Sequence, residues 1–224
     1  MLTHVPSTKP PEYAVAKEVN LVPINKLAEV KSPWKRYVVI GAGKTGLDAL
    51  SYLLDHGVDQ ERIVWIVSND SWFFCRDFLE GEKIKSAYKN TPQFFATILE
   101  AENVDDCYKK LEAAGNFLRL DKNVWPKRNH AATVSSKEIV QYRSITNTLR
   151  YGRVERIEKD KIVFKCGTII PTDADTLHID CSAEGTNFPK VKEKIFDGNL
   201  INLLMVQMPA PCMSGAVIAA LENK

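Results

Sequence analysis

The chain contains 224 residues, of which 45% are hydrophobic, so it can bury the core of one large or two small domains. Its 30 Lys and Arg residues nearly balance its 28 Asp and Glu residues, which argues against a surface for nucleic acid or for an anionic membrane. The first residues lack the apolar stretch of a secretory signal, and the five cysteines have neither zinc-site nor redox-motif spacing. We therefore expect a cytoplasmic protein with reduced thiols, no metal site, and neither a membrane nor a nucleic acid as a partner.

Residues 1–35 are rich in proline and show little periodicity, which predicts an extended N-terminal arm with one short strand within 19–24. The next segment has a compact strand–turn–helix–strand pattern. Residues 37–40 ("YVVI") and 62–67 ("RIVWIV") are apolar and rich in β-branched residues, and residues 45–55 carry leucines at helical spacing. The pattern has the size of one βαβ unit.

The turn between the first strand and the helix reads "GAGKTG", a G-x-G-x-x-G fingerprint. The first glycine allows a sharp turn, the second lets a pyrophosphate approach the backbone, and the third permits close helix–strand packing. The start of the helix directs its free amides and the positive end of its dipole at the phosphates. The predicted pyrophosphate site consists of Gly41, Ala42, Gly43, Lys44, Thr45 and Gly46.

The same turn contains "GKT", the end of a nucleoside-triphosphate P-loop. A P-loop also requires a glycine five positions before the glycine of G-K-T. That position is Val38, which lies inside the predicted strand. The spacing therefore disfavours a P-loop nucleotidase and favours a dinucleotide site.

The end of the second strand bears on the choice of dinucleotide. An NAD site usually has an acid there for the ribose 2′-hydroxyl. This chain has Ser68 and Asn69, with Asp70 two residues late and Arg76 in the following segment. Hydroxyl, amide and guanidinium donors suit a 2′-phosphate, so we expect NADP, with NAD as the alternative.

The rest of the chain is mixed. Thr91 and Pro92 predict a helix start, with two helices broken near Asn103 and ending at Gly115. Residues 135–138 form a capping box for another helix, the segment after Gly152 predicts a β-meander, and residues 176–183 predict a last central strand. The apolar run 200–221 predicts a buried strand, a proline turn and a short helix. We predict an α/β fold: a Rossmann-type, three-layer dinucleotide-binding fold with a helical insertion at about 85–150.

The stretches "RYVVIGAGKTGLDAL", "VWIVSNDSWFFCRD" and "LHIDCSAEG" resemble the FAD- and NAD(P)-binding oxidoreductases related to flavin-containing monooxygenases. In that family an NAD(P) domain is inserted into an FAD domain. The resemblance implies an NAD(P) domain at 36–183, with parts of the FAD domain at 1–35 and 184–224. It also implies cofactor contacts at Ser182 and Ala183, where the family has Thr-Gly.

The family begins with a separate FAD fingerprint, and this chain has one fingerprint only. It looks like the later part of a flavoprotein, so FAD binding by this chain alone is doubtful. Surfaces left uncovered would be apolar, which predicts self-association. Two functions stay open: the NAD(P)H-binding part of a flavin-dependent oxidoreductase or monooxygenase acting on an unknown small molecule, or a non-enzymatic NADP-binding sensor or interaction module. No residue has the pattern of a catalytic base or nucleophile, and His178, in an apolar strand, is expected to be a core imidazole.

Overall fold

The computed structural model describes residues 6–31, 33–78, 84–182, 194–204 and 211–223. It divides into two compact units, residues 1–185 and 186–224. Within these described ranges, no helix has both the length and the apolar character needed to cross a membrane.

A five-stranded sheet is the centre of the first unit, and every neighbouring pair of its strands is parallel. In spatial order its strands are β2 (Leu21–Pro23), β12 (Thr176–Asp180), β3 (Arg36–Ile40), β4 (Ile63–Ile66) and β8 (Thr148–Leu149). Strands β3 and β4 are largely apolar, and all five residues of β12 are buried, because both faces of the sheet are covered.

Helices cover one face of this sheet and a second sheet covers the other. Val39 and Trp65 point into a core shared with α1 (Lys44–Asp55) and α4 (Ser136–Arg143). Val38 and Ile66, one residue away in each strand, pack against a sheet that contains the antiparallel meander β9 (Val154–Ile157), β10 (Lys161–Phe164) and β11 (Ile169–Pro171). The alternation of side chains along a strand therefore supplies both interfaces.

The N-terminal arm is part of both sheets. Its first strand, β1 (Ala14–Val15), pairs in parallel with β9, and β2 pairs in parallel with β12. The short strand expected within 19–24 is confirmed.

A smaller sheet begins directly after β4, the third strand of the parallel sheet in chain order. It is composed of β5 (Ser71–Cys75), β6 (Phe117–Leu118) and β7 (Arg128–Val134), and the chain between β5 and β6 contains α2 (Ile84–Leu99) and α3 (Val104–Ala113). The region 85–150, expected to be helical, therefore also contains strands, and its last strand, β8, belongs to the parallel sheet.

The expected helix start at Thr91 was wrong. Helix α2 begins at Ile84 and has Pro92 inside it. The Thr-Pro pair is a local signal for a helix start, but the residues in front of it are themselves helical, so the signal was overridden. The break near Asn103 is confirmed, since the Asn103 side chain accepts a hydrogen bond from the Asp106 amide and caps α3. The capping box of Ser135 and Glu138 is also confirmed.

The second unit contains the hairpin β13 (Phe196–Asp197) and β14 (Leu200–Ile201), and α5 (Pro211–Glu222). The prediction of a buried strand at the start of the run 200–221 was wrong, because Leu200 and Ile201 are exposed. The expected helix at its end is confirmed, and the proline turn between them lies partly outside the described residues.

The parallel sheet with its covering helices and the additional sheets confirm the predicted α/β class.

His178 is a buried imidazole with both ring nitrogens satisfied, as expected. Its Nδ1 lies 3.0 Å from the carbonyl oxygen of Asn20, and its Nε2 lies 3.0 Å from the hydroxyl of Thr172. A carbonyl can only accept, so Nδ1 carries the proton and Nε2 accepts from Thr172. Burial lowers the pKa of His178, although the Asn20 carbonyl and the Asp173 carboxylate oppose that shift.

This environment predicts a loss of stability in mild acid. The unfolded chain takes up the imidazole proton near pH 6.5, while the folded protein takes it up only at lower pH. The unfolded state binds more protons in that window, so the free energy of unfolding should fall as the pH drops below about 6.5. Urea unfolding of the parent at pH 7.5 and 5.5 measures the effect. The variant His178→Gln should show a flatter pH dependence, and His56→Gln, at an exposed site, should retain that of the parent. If the free energy of unfolding changed equally with pH in the parent and both variants, the assignment of the acid effect to His178 would be contradicted.

Candidate functional site

The predicted glycine turn lies at the carboxyl edge of the parallel sheet. Strand β3 leads through α1 to β4 on one side, while β12 pairs with β3 on the other. Open parallel sheets bind ligands at such a reversal of strand order, beyond the carboxyl ends of the strands. Gly41, Ser68 and Ser182 follow β3, β4 and β12, and the fold thus brings three separate predicted segments to one edge.

Gly41 is where the turn meets β12. It has a φ of +126°, and a Cβ at this position would lie 2.6 Å from the carbonyl oxygen of Cys181. The indole Nε1 of Trp65 donates a hydrogen bond of 2.9 Å to the Gly41 carbonyl, which fixes the turn from the side of β4. Sequence reasoning missed Trp65 and Cys181, because neither belongs to the fingerprint.

Gly46 lies in the first turn of α1, in close contact with the carbonyl group of Gly41. A Cβ on Gly46 would lie 2.2 Å from the carbonyl oxygen of Gly41, a distance that no side chain tolerates. The first and third glycines of the fingerprint are therefore required by the packing of the protein on itself.

Gly43 differs from the other two. It is the N-cap of α1, with a φ of −81° that any residue adopts, and no side chain caps the helix there. A Cβ on Gly43 would meet no atom of the described chain within 4 Å. The fold itself therefore does not require a glycine here, and the free amides and positive dipole of α1 face open space.

The other residues of the turn surround this open position. Ala42 packs against the core, and Lys44 and Thr45 are the first two residues of α1. The Lys44 ammonium forms an ion pair with Asp48, one turn further along the helix. Its charge is thus held close to the helix start.

The end of β4 has polar groups and a paired acid. Ser68 is half-buried and Asn69 is exposed. Asp70 receives two hydrogen bonds from Arg150, of 3.0 Å from Nε and 3.3 Å from Nη2. Arg150 directly follows β8, the neighbouring strand, and its Nη1 also lies 3.6 Å from Asp121. Sequence reasoning missed Arg150, because only the parallel pairing of β8 with β4 shows that the two strand ends are adjacent.

Arg76 has a different environment. It follows β5, and an extended strand advances about 3.3 Å per residue, so its backbone lies roughly 16 Å along the chain from Ser71. Its Nη2 donates a 2.5 Å hydrogen bond to Glu138. Partial burial opposes ionisation of Glu138, but hydrogen bonds from Ser135 and Arg76 lower its pKa overall. The structure therefore joins Arg76 to the start of α4, and its contact with a 2′-phosphate stays a prediction.

At the end of β12, Ser182 is exposed and turns back onto Asp180. Its amide donates a 3.0 Å hydrogen bond to Oδ1 of Asp180, and its hydroxyl donates to the same oxygen. Ala183, the other residue implied by the family resemblance, lies outside the described residues.

The aromatic run after β4 is part of a core. Trp72 stacks on Tyr108 at 4.8 Å between ring centroids and meets Phe117 and Trp125 edge-on. Within the described part of the chain, no group of three or more His, Cys, Asp or Glu side chains could hold a metal ion.

No protein-family model matches the chain. The chain is 36% identical over 223 residues to uncharacterized proteins of Mycobacterium bovis and of two strains of Mycobacterium tuberculosis. The alignment covers 97% of this chain and 40% of each relative, so the chain spans about two fifths of the length of the curated relatives it matches.

Proposed function

We propose that the protein binds NADP(H) across the carboxyl edge of its parallel sheet, as a Rossmann-type nucleotide-binding unit. The observation that carries this proposal is the contrast among the three glycines. Gly41 and Gly46 are explained by contacts within the chain, whereas Gly43 has only open space in front of it. A ligand that approaches the backbone at the start of α1 accounts for a glycine at that position.

A diphosphate suits this position physically. The first amides of a helix have no partner within the helix, and the helix dipole favours negative charge there. Because Gly43 has no Cβ, a phosphate can approach the backbone of the turn closely. Lys44 and Thr45 lie at the same helix start, where an ammonium and a hydroxyl can add charge and a hydrogen-bond donor.

NADP is favoured over NAD by the end of β4. Asp70, the acid that follows this end, forms an ion pair with Arg150, which offsets its negative charge and reduces its repulsion of a nearby phosphate. Ser68 and Asn69 offer donors instead, and the Arg150 guanidinium lies on the adjacent strand end. A 2′-phosphate placed there would meet hydroxyl, amide and guanidinium donors.

For the wider activity, we propose that this unit is the NAD(P)H-binding part of a flavin-dependent oxidoreductase. The sequence resemblance supports the flavin partner, and the greater length of the mycobacterial relatives leaves room for a flavin domain. Nicotinamide and flavin must be held face to face for hydride transfer, so the role of this unit is to position the nicotinamide. Residues for FAD would have to come largely from outside the described site.

The first test separates binding from folding. Gly43→Val should weaken NADPH binding about 10- to 100-fold, because the side chain blocks charge-assisted contacts of the phosphates with the backbone amides. Its free energy of unfolding should stay within about 1 kcal/mol of the parent, since no atom of the described chain lies in the way. Gly46→Ala should instead cost about 3 kcal/mol or more in stability. Calorimetric titration and urea unfolding measure the two effects.

The dinucleotide site would be refuted if the parent protein bound neither NADPH nor NADH, or if the valine variant bound NADPH as tightly as the parent does.

The second test concerns the 2′-phosphate. Arg150→Ala should weaken NADPH binding about tenfold or more, because it removes a charged donor for the phosphate and leaves the Asp70 carboxylate unpaired, and it should not weaken NADH binding. Arg76→Ala is the matched control, with the same loss of charge at a site next to Glu138. Selective loss of NADPH in the Arg76 variant, with none in the Arg150 variant, would show that our assignment of the two arginines is reversed.

The third test concerns flavin. A full-length mycobacterial relative should purify as a yellow protein, and NADPH added without oxygen should bleach its flavin absorbance. The present chain alone should bind NADPH yet remain colourless when FAD is added and then removed by gel filtration. A colourless relative that nonetheless binds NADPH would favour a sensor or interaction module over an oxidoreductase.

A further inference from the structure

The Arg150 guanidinium is shared by two carboxylates from different parts of the chain. Arg150 follows β8, Asp70 follows β4, and Asp121 lies in the segment between β6 and β7. The side chain of Asp70 is 10% exposed, whereas those of Arg150 and Asp121 are 29% and 34% exposed. One positive charge therefore faces two negative charges at a place that solvent still reaches.

Asp70 occupies one edge of the guanidinium. Its two oxygens accept hydrogen bonds of 3.0 Å from Nε and 3.3 Å from Nη2 of Arg150. A guanidinium is planar and carries donors along a second edge as well, between Nη1 and Nη2. The pairing with Asp70 thus fixes the plane of Arg150 and directs its second edge away from Asp70.

Asp121 lies at this second edge without a hydrogen bond to it. Oδ2 of Asp121 is 3.6 Å from Nη1 of Arg150, which is an ion-pair distance but too long for a hydrogen bond. Oδ1 of Asp121 accepts a 2.9 Å hydrogen bond from the Asn123 amide, and the Asp121 carbonyl accepts one of 3.2 Å from the Val124 amide. The carboxylate is therefore held in place by its own turn.

The residues in front of Asp121 are fixed by a second arginine. Arg143, the last residue of α4, donates a 3.0 Å hydrogen bond from Nε to the Leu120 carbonyl, and its Nη2 donates to the Arg119 carbonyl. Helix α4 packs on the parallel sheet. Through Arg143, the position of Asp121 is thus set by the same layer of helices that carries the glycine turn.

This geometry affects a phosphate and a hydroxyl differently. A phosphate monoester carries about −1.5 to −2 charges near pH 7. On the second edge of Arg150 it would lie beside the Asp121 carboxylate, and the two anions would repel each other while both attract Nη1. A ribose 2′-hydroxyl is neutral and meets no such repulsion.

We propose that Asp121 is a specificity-determining residue, which limits the preference for NADPH over NADH by competing with the 2′-phosphate for Arg150. The assignment rests on the NADP(H) function proposed above. It gives the segment between β6 and β7, which lies outside the strand–turn–helix unit, a direct part in the choice of cofactor.

The assignment predicts a gain of affinity on removal of a charge. Asp121→Asn should bind NADPH about tenfold more tightly than the parent, and its affinity for NADH should stay within about threefold. The asparagine oxygen can still accept from the Asn123 amide, so the turn is retained, and Asp70 still orients Arg150. Calorimetric titration of the intact chain with NADPH and NADH measures both affinities. A gain that is confined to one of two nearly identical ligands does not arise from a loss of structure.

Two further variants make the experiment specific. Asp121→Ser also keeps an acceptor oxygen for the Asn123 amide, and it should shift the ratio of the two affinities in the same direction. Asp160→Asn is the matched control, because it removes the same charge from an exposed turn between β9 and β10. It should leave the ratio of the parent unchanged.

The possible failures can be told apart. An unchanged ratio of NADPH to NADH affinity in a folded Asp121 variant would overturn the assignment, and so would an equal gain in Asp160→Asn, which would reflect net charge alone. A parent that binds neither cofactor would instead refute the NADP(H) function, and the assignment with it. A parent that binds the cofactors, with a ratio that the Asp121 variants do not change, would refute the role of Asp121 alone.

Discussion

The structure of the candidate site depends on a very close approach of three backbone segments. The peptide after Gly41 lies between the first turn of α1 and the end of β12, with no room for a side chain on either Gly41 or Gly46. Because of this contact, the start of the helix packs directly on the edge of the sheet. From the side of β4, the Trp65 indole donates a hydrogen bond to the Gly41 carbonyl. Because the helix start is fixed in this way, its free amides point in one direction, over the carboxyl ends of the strands.

That arrangement separates two kinds of group along the edge. The helix start and the end of β4 present hydrogen-bond donors and a guanidinium, which suit phosphates. The end of β12 holds the buried carboxylate of Asp180, which accepts hydrogen bonds from Ser182.

The sequence predicted the part of this site that depends on local chemistry. The strand, the glycine turn and the helix between Arg36 and Asp55 are visible because apolar periodicity and three glycines occur together within twenty residues. The groups supplied from far along the chain were not visible. Arg150 reaches the end of β4 only because two distant strands pair, and Asp180 is a single acid in an apolar strand whose burial depends on the arm. The helix starting at Ile84 was missed for a related reason, since the Thr-Pro pair at 91 is a good local start that its neighbours override.

The arm has a consequence for how the unit built around the parallel sheet can be inherited or exchanged. Its edge strand, Leu21–Pro23, lies before the fingerprint and pairs with β12, some 150 residues later. A recombination event that moved only the segment from β3 to β12 would leave the backbone of β12 unpaired along one side, and it would take from His178 its Asn20 partner. A gene fusion that keeps this sheet intact must therefore begin before Leu21, so that the arm is inherited together with the glycine turn.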